Sequence, residues 1–138
     1  MKISVIGTGY VGLVAGACFA DSGNDVTCVD KDPDKINKLK NGEIPIYEPG
    51  LDTLVERCIK QGRIHFTTTA TEAVQQSEII FMAVGTPFFP IGKPDLSFLK
   101  AASEEVAKVM NGPKIVVNKS IVLIGIHKTV VEWMCFHT

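Results

Sequence analysis

Residues 2–30, KISVIGTGYVGLVAGACFADSGNDVTCVD, constrain the fold more than any other stretch. A short apolar run (Ile3, Val5, Ile6) breaks at Gly7-Thr8-Gly9-Tyr10-Val11-Gly12, and an alanine- and glycine-rich segment follows. A second apolar run (Val26, Cys28, Val29) then stops on Asp30. That order reads as strand, tight glycine turn, helix, strand, acid. A bare G-x-G-x-x-G is a weak signal. Here the strand before it, the helix after it and the acid 18 residues beyond Gly12 agree, and together they make a dinucleotide-binding fingerprint.

Each position has a physical task. Gly7 turns the chain sharply off the strand end, where a Cβ would clash. Gly9 lets the backbone approach a pyrophosphate, and Gly12 lets the helix pack tightly against the strand. The free N–H groups of the helix's first turn then face the phosphates, aided by the positive end of the helix dipole. Asp30, at the tip of the second strand, is placed to accept hydrogen bonds from ribose hydroxyls. Its charge repels a 2′-phosphate: two unit charges about 4 Å apart at an effective dielectric near 20 interact by roughly 4 kcal/mol. NAD is therefore expected over NADP, with Lys31 as the neighbour that could soften the preference.

Composition bounds the rest. The 138 residues are 46% hydrophobic and 21% charged, which suits one globular domain burying roughly two-thirds of its unfolded surface. Fourteen basic and fifteen acidic residues leave a net charge of -1, so no electrostatic footprint for nucleic acid or an acidic membrane is expected. Cys18, Cys28, Cys58 and Cys135 lie far apart, without a C-x-x-C pair or a histidine at metal-ligand spacing. They read as buried free thiols, with no metal site and a cytoplasmic home. The uncharged run from Ile3 to Ala20 imitates a secretory signal, but its four glycines make a poor apolar core and strand-turn-helix accounts for it. No segment is long and apolar enough to span a bilayer.

Farther along, Asp32-Pro33 marks a capped helix start, with Ile36 and Leu39 on one face and a stop at Asn41-Gly42. Lys35, on its first turn, is either a solvated lysine or a second ribose contact. The proline-rich stretch from Ile44 to Gly50 is a loop. Leu51, Leu54, Val55, Cys58 and Ile59 form an amphipathic helical stripe, and Ile64 to Phe66 is a short strand. Thr69 and Glu72 form a capping box for a helix through Gln76. Glu78 to Val84 reads as a strand buried on both faces, ending in Gly85-Thr86-Pro87. Ligands in open α/β sheets sit beyond the carboxyl ends of strands, so Thr86 is either a ligand contact or a turn threonine. Asp95 is expected to cap a helix from Leu96 to Met110, and Lys114 to Val117 is a fifth strand. Five strands alternating with helices make a doubly wound α/β domain with a parallel, Rossmann-like sheet.

The run from Lys2 to Leu51, with GTGYVG and IPIYEPGL, and the later AVGTP and PDLSF closely resemble the amino-terminal part of the UDP-glucose/GDP-mannose dehydrogenase family. IPIYEPGL is similar to the branch of UDP-glucose 6-dehydrogenases, and the resemblance covers Met1 to about Ser120. It implies an oxidoreductase that converts a sugar C6 alcohol to a carboxylate with two NAD through a cysteine thioester. It implies NAD contacts at Gly7, Gly9, Tyr10, Val11, Gly12, Asp30, Lys35 and Thr86, and a place for Glu48-Pro49-Gly50 near the cofactor.

One segment departs from the pattern. Where the family carries K-S-T-V-P-x-G-T, this chain has Lys119-Ser120-Ile121-Val122-Leu123-Ile124-Gly125-Ile126. Ile121 has no hydroxyl, so a polar role at that position is lost. The family's sixth strand, central helix, nucleophilic cysteine and UDP-binding domain fall beyond Thr138. The expectation is an NAD-binding domain over residues 1–138, incomplete at its carboxyl end, that holds no catalytic residue and turns nothing over alone. UDP-glucose would be a partner only with the missing domain supplied. The other readings are a non-catalytic nucleotide-binding module and another nucleotide-sugar dehydrogenase. With strand order 3-2-1-4-5-6, the fifth strand would be an open edge beside a helix over His127 to Phe136 whose apolar face carries Val130, Val131, Met134 and Cys135, so self-association is expected.

Overall fold

A computed structural model describes residues 1–137. Strand β1 (Lys2–Ile6) leads through the glycine turn into α1 (Tyr10–Asp21), and β2 (Asp25–Val29) follows. Helices α2 (Pro33–Lys40) and α3 (Leu51–Lys60) come next, then β3 (Ile64–Thr67), α4 (Ala70–Gln76) and β4 (Ile79–Met82). The chain continues with α5 (Ser97–Val109), β5 (Ile115–Asn118) and α6 (Ile126–Cys135). The five strands make one parallel sheet in the order β3-β2-β1-β4-β5, the doubly wound arrangement expected of alternating strands and helices. The order reverses at β1, which pairs with β2 on one side and β4 on the other. Ile6 stands opposite both Val29 and Met82, so the carboxyl ends of these three strands align and open a crevice between them.

Two apolar layers cover the sheet. On one face Val5, Leu13, Ala17, Val26, Cys28 and Val55 pack α1 and α3 against the strands, with Ile36 and Leu39 of α2 joining them. On the other face Ile6, Val74, Ile80, Met82, Leu99 and Val106 bring in α4 and α5, and Val130 ties α6 to the same layer. The even-numbered residues of β4 serve the second layer, while Phe81 turns to the first and packs its ring 4.7 Å from that of Phe19.

Several local expectations change. Thr69 stands at the start of α4 but caps nothing with its side chain; Glu72 accepts from Gln76 instead, so the capping box does not close. Asp95 accepts from the Ser97 N–H two residues before the helix start, and Leu96 occupies the cap position of a helix shorter than expected. Asp32 does cap α2, accepting from the N–H groups of Asp34 and Lys35. Cys28 and Cys58 are buried, whereas Cys18 and Cys135 are exposed. The helical period puts Ile126, Val130, Trp133 and Met134 toward the core layer, leaving Val131 and Cys135 on the outer side of α6. No helix among the described residues is long and apolar enough to cross a membrane.

Candidate cofactor-binding site

A cavity of about 580 Å³ opens at the carboxyl ends of β1, β2 and β4. Its floor is the glycine loop, and one wall carries Asp30, Lys31 and Lys35. The opposite wall is the end of β4 with Phe98, Ala101 and Glu105 of α5. That volume suits a small-molecule or cofactor site.

The loop itself shows why three glycines are there, and they differ. Gly7 has φ +107°, and a Cβ on it would lie 2.4 Å from the Ala83 carbonyl oxygen. A Cβ on Gly12 would lie 2.0 Å from the Gly7 carbonyl oxygen, so the crowding at Gly12 comes from the loop and not, as expected, from the strand. Close packing of helix on strand is instead the task of Gly16, where a Cβ would meet the Cys28 sulfur at 2.7 Å. Sequence reasoning gave Gly16 no such role. Gly9 is the exception: its φ of -70° suits any residue, and a Cβ there would meet nothing within 4 Å. Among the described residues no contact asks for glycine at 9. The space in front of it does.

That space is furnished for an anion. The first turn of α1 carries no acidic residue and no side-chain cap, so its N–H groups are left for a ligand at the positive end of the helix dipole. Thr8, between the glycines and fully buried, was missed by sequence reasoning because a threonine there carries no spacing signal of its own. It donates twice to Asp30 Oδ2, through its N–H at 3.0 Å and its hydroxyl at 2.6 Å. Asp30 Oδ1 accepts from the Asp32 N–H at 3.1 Å, and Lys35 Nζ lies 3.6 Å from Oδ2. Burial alone would raise the Asp30 pKa. The hydrogen bonds from the Thr8 hydroxyl and the Asp32 and Thr8 N–H groups outweigh it, with the Lys35 charge adding to them, and hold the carboxyl below its ordinary value. It is thus an oriented carboxylate at neutral pH.

Six of the sequence-derived candidates line the cavity: Gly7, Gly9, Tyr10, Val11, Asp30 and Lys35. Gly12 lies buried beneath the loop. Thr86 is set apart. Its hydroxyl donates to the Ile121 carbonyl oxygen, tying the loop after β4 to the loop after β5, while neighbouring Gly85 lines the cavity. The Tyr10 hydroxyl donates to Glu48 Oε2 at 2.9 Å, a bond that raises its pKa and joins the 44–50 loop to the glycine turn. Phe98, Ala101 and Glu105 were not foreseen. They sit at i, i+3 and i+7 on α5, a stripe beside the core positions Leu99, Ala102 and Val106, and that second stripe was the available signal.

The model of the UDP-glucose/GDP-mannose dehydrogenase family's NAD-binding domain matches residues 1–138. The chain belongs to that family. It is 53% identical over 129 residues to a UDP-glucose 6-dehydrogenase of Bacillus subtilis, covering 94% of this chain and 28% of the relative. A UDP-glucose 6-dehydrogenase of Rhizobium meliloti is 53% identical over 126 residues, covering 91% and 29%. Among solved structures, a GDP-mannose dehydrogenase of Pseudomonas aeruginosa in a ternary complex superposes with a TM-score of 0.93 at 34% identity, over 97% of this chain and 32% of that one. The chain therefore spans under a third of the length of these relatives, and the part it spans is the family's NAD-binding domain. NAD is the cofactor that family binds here, and the cavity fits it: an open cradle at Gly9, uncapped helix N–H groups and an oriented carboxylate one strand away.

Proposed function

We propose that this chain is the cofactor-holding part of a UDP-glucose 6-dehydrogenase, which oxidises the C6 alcohol of UDP-glucose to a carboxylate with two NAD. The observation that carries the reading is the 53% identity to two UDP-glucose 6-dehydrogenases over nearly the whole chain. When bound, NAD supplies the hydride acceptor. The residues of this chain bind and orient it: Gly7, Gly9, Tyr10, Val11 and Gly12 form the loop at the pyrophosphate, and Asp30 and Lys35 take the adenosine ribose. Thr86 serves the site by fixing the Ile121 loop. Its hydroxyl's bond to that carbonyl supports this indirect role.

The 138 residues by themselves bind NAD without turnover. Supporting this, Cys28 is fully buried with its thiol pKa pushed up to about 12, far from an activated nucleophile, and Ile121 carries no hydroxyl. A cytoplasmic setting belongs to the same reading, since four free cysteines suit a reducing compartment. Self-association of the chain belongs to it as well. Among the described residues β5 pairs only with β4, and Ile121, Leu123 and Ile124 beyond it are 75%, 65% and 106% exposed.

Titration calorimetry with NAD, followed by NADH absorbance with NAD and UDP-glucose present, tests the proposal. Saturable NAD binding without sustained absorbance is expected. Sustained turnover would overturn the cofactor-only part, and absence of NAD binding would overturn the whole.

A further inference from the structure

Two lysines stand at the ribose end of the cavity, and each is already engaged by an acid. Lys35 Nζ lies 3.6 Å from Asp30 Oδ2. Lys31 Nζ lies 3.7 Å from Glu105 Oε2, and this second pair reaches from the loop after β2 across to α5 on the opposite wall. Counting the charged residues that line the cavity, Asp30, Asp32 and Glu105 stand against Lys31 and Lys35, three negative charges to two positive. An extra phosphate on the ribose would thus arrive at a net negative rim without an unengaged ammonium to receive it.

We propose that Glu105 is a specificity-determining residue of this site, which works by holding Lys31 away from a 2′-phosphate. The inference rests on the NAD-binding reading above and sharpens it. Asp30 alone is an incomplete explanation of NAD preference because Lys31 follows it directly in the chain, and an unrestrained lysine there is a ready phosphate ligand. Glu105 closes that gap from a helix more than seventy residues later. The pair is exposed, with side-chain accessibilities of 72% for Lys31 and 39% for Glu105, so it adds little to folding stability. Its consequence falls on which ligand charge the rim accepts.

The test is calorimetric titration of NAD and of NADP into the 138-residue chain, into Glu105→Gln, and into the double variant Lys31→Met/Glu105→Gln. Lys31 is exposed, Glu105 is half-buried and the glutamine keeps the shape of the glutamate, so folding is preserved, and circular dichroism verifies it. Glu105→Gln is expected to tighten NADP by roughly threefold to tenfold, the range of an exposed lysine–phosphate pair released from competition. NAD affinity in the same variant is the reference, so the quantity read is the ratio of NADP to NAD affinity. The double variant should return NADP to its original affinity. The gain should also shrink as salt is raised.

An unchanged ratio of NADP to NAD affinity in Glu105→Gln, with NAD still bound, overturns this inference and leaves the cofactor reading standing. A gain that persists without Lys31 overturns it too, since the effect would then be simple loss of repulsion from Glu105. A wild-type chain that binds no NAD overturns both.

Discussion

Residues 2–36 and residues 115–126 meet at the same end of the sheet, and they bury themselves to very different degrees. In the first region Val5, Leu13, Val26, Cys28 and Ile36 are all but inaccessible, and the Asp30 carboxylate is satisfied at both oxygens. In the second, β5 has one exposed residue followed by three half-buried ones and none that is fully buried, and the loop after it presents Ile121, Leu123 and Ile124 to solvent. The polar bonds there tether the loop without covering its apolar side chains: Lys119 and Ser120 donate to the Met82 carbonyl oxygen, and Thr86 donates to that of Ile121. A region that holds a ligand through its own backbone must be rigid by itself. A region that shows several apolar side chains to water is instead a candidate surface for association.

The sharpest way to break this contrast is within the glycine loop. Gly12→Ala places a Cβ against the Gly7 carbonyl oxygen, a backbone atom that cannot rotate away. A loss of about 3 kcal/mol or more is expected, by analogy with severe overpacking, or failure to fold. Urea denaturation followed by circular dichroism measures it. Gly9→Ala should do nearly the opposite. With an ordinary φ and open space around the new methyl group, stability should hold within about 0.5 kcal/mol, while NAD affinity falls at least about tenfold because the methyl group fills the cradle. If Gly9→Ala unfolded the chain and bound NAD normally, the division between packing glycines and ligand glycine would be wrong.

Thr8→Val comes next, and it acts through Asp30. It removes the hydroxyl donor, keeps the N–H, and leaves a half-buried carboxylate short of one charge-assisted bond, at a cost of about 1–3 kcal/mol. The effect depends on pH. The folded-state pKa of Asp30 lies below the ordinary carboxylate value, so the stabilisation it gives is fully present above that value, near pH 4, and is lost as pH falls through the folded pKa. The variant should therefore differ most from wild type at neutral pH and converge on it in acid. Equal destabilisation at pH 7 and pH 2 would remove Asp30 from the explanation.

The fold was legible because each of its signals was local. The glycine turn, the Asp32-Pro33 helix start and the Leu51–Ile59 stripe each depend on neighbours a few residues apart, and each became the element it promised. What the sequence concealed is long-range. Thr8 meets Asp30 across 22 residues, Gly16 meets Cys28 across two elements, and Glu105 comes to the cavity from the other wall. Thr86 shows the same limit, since the family pattern brought it to the right end of the sheet while its hydroxyl turned to the neighbouring loop. The capping box at Thr69 failed for a related reason. The Thr69 N–H is taken by the Thr67 hydroxyl and Glu72 accepts from Gln76, so both partners of the bond that Glu72 would make back to Thr69 are engaged elsewhere.

The smallest expected effect tests the less buried of the two regions. Ile124 is fully exposed and Leu123 largely so, and neither belongs to a core layer, so Leu123→Lys/Ile124→Lys should leave stability within about 0.5 kcal/mol. What should change is association. The wild-type chain is expected to show a mass by light scattering that rises with concentration, and the double lysine variant to shift toward the monomer, because charge on an apolar face opposes the pairing of copies. NAD affinity should be untouched, as neither residue lines the cavity. A wild-type chain that stays monomeric at high concentration would mean that the open β5 edge and its loop are held apart by their own geometry. The difference between the two regions would then be one of burial alone, without consequence for assembly.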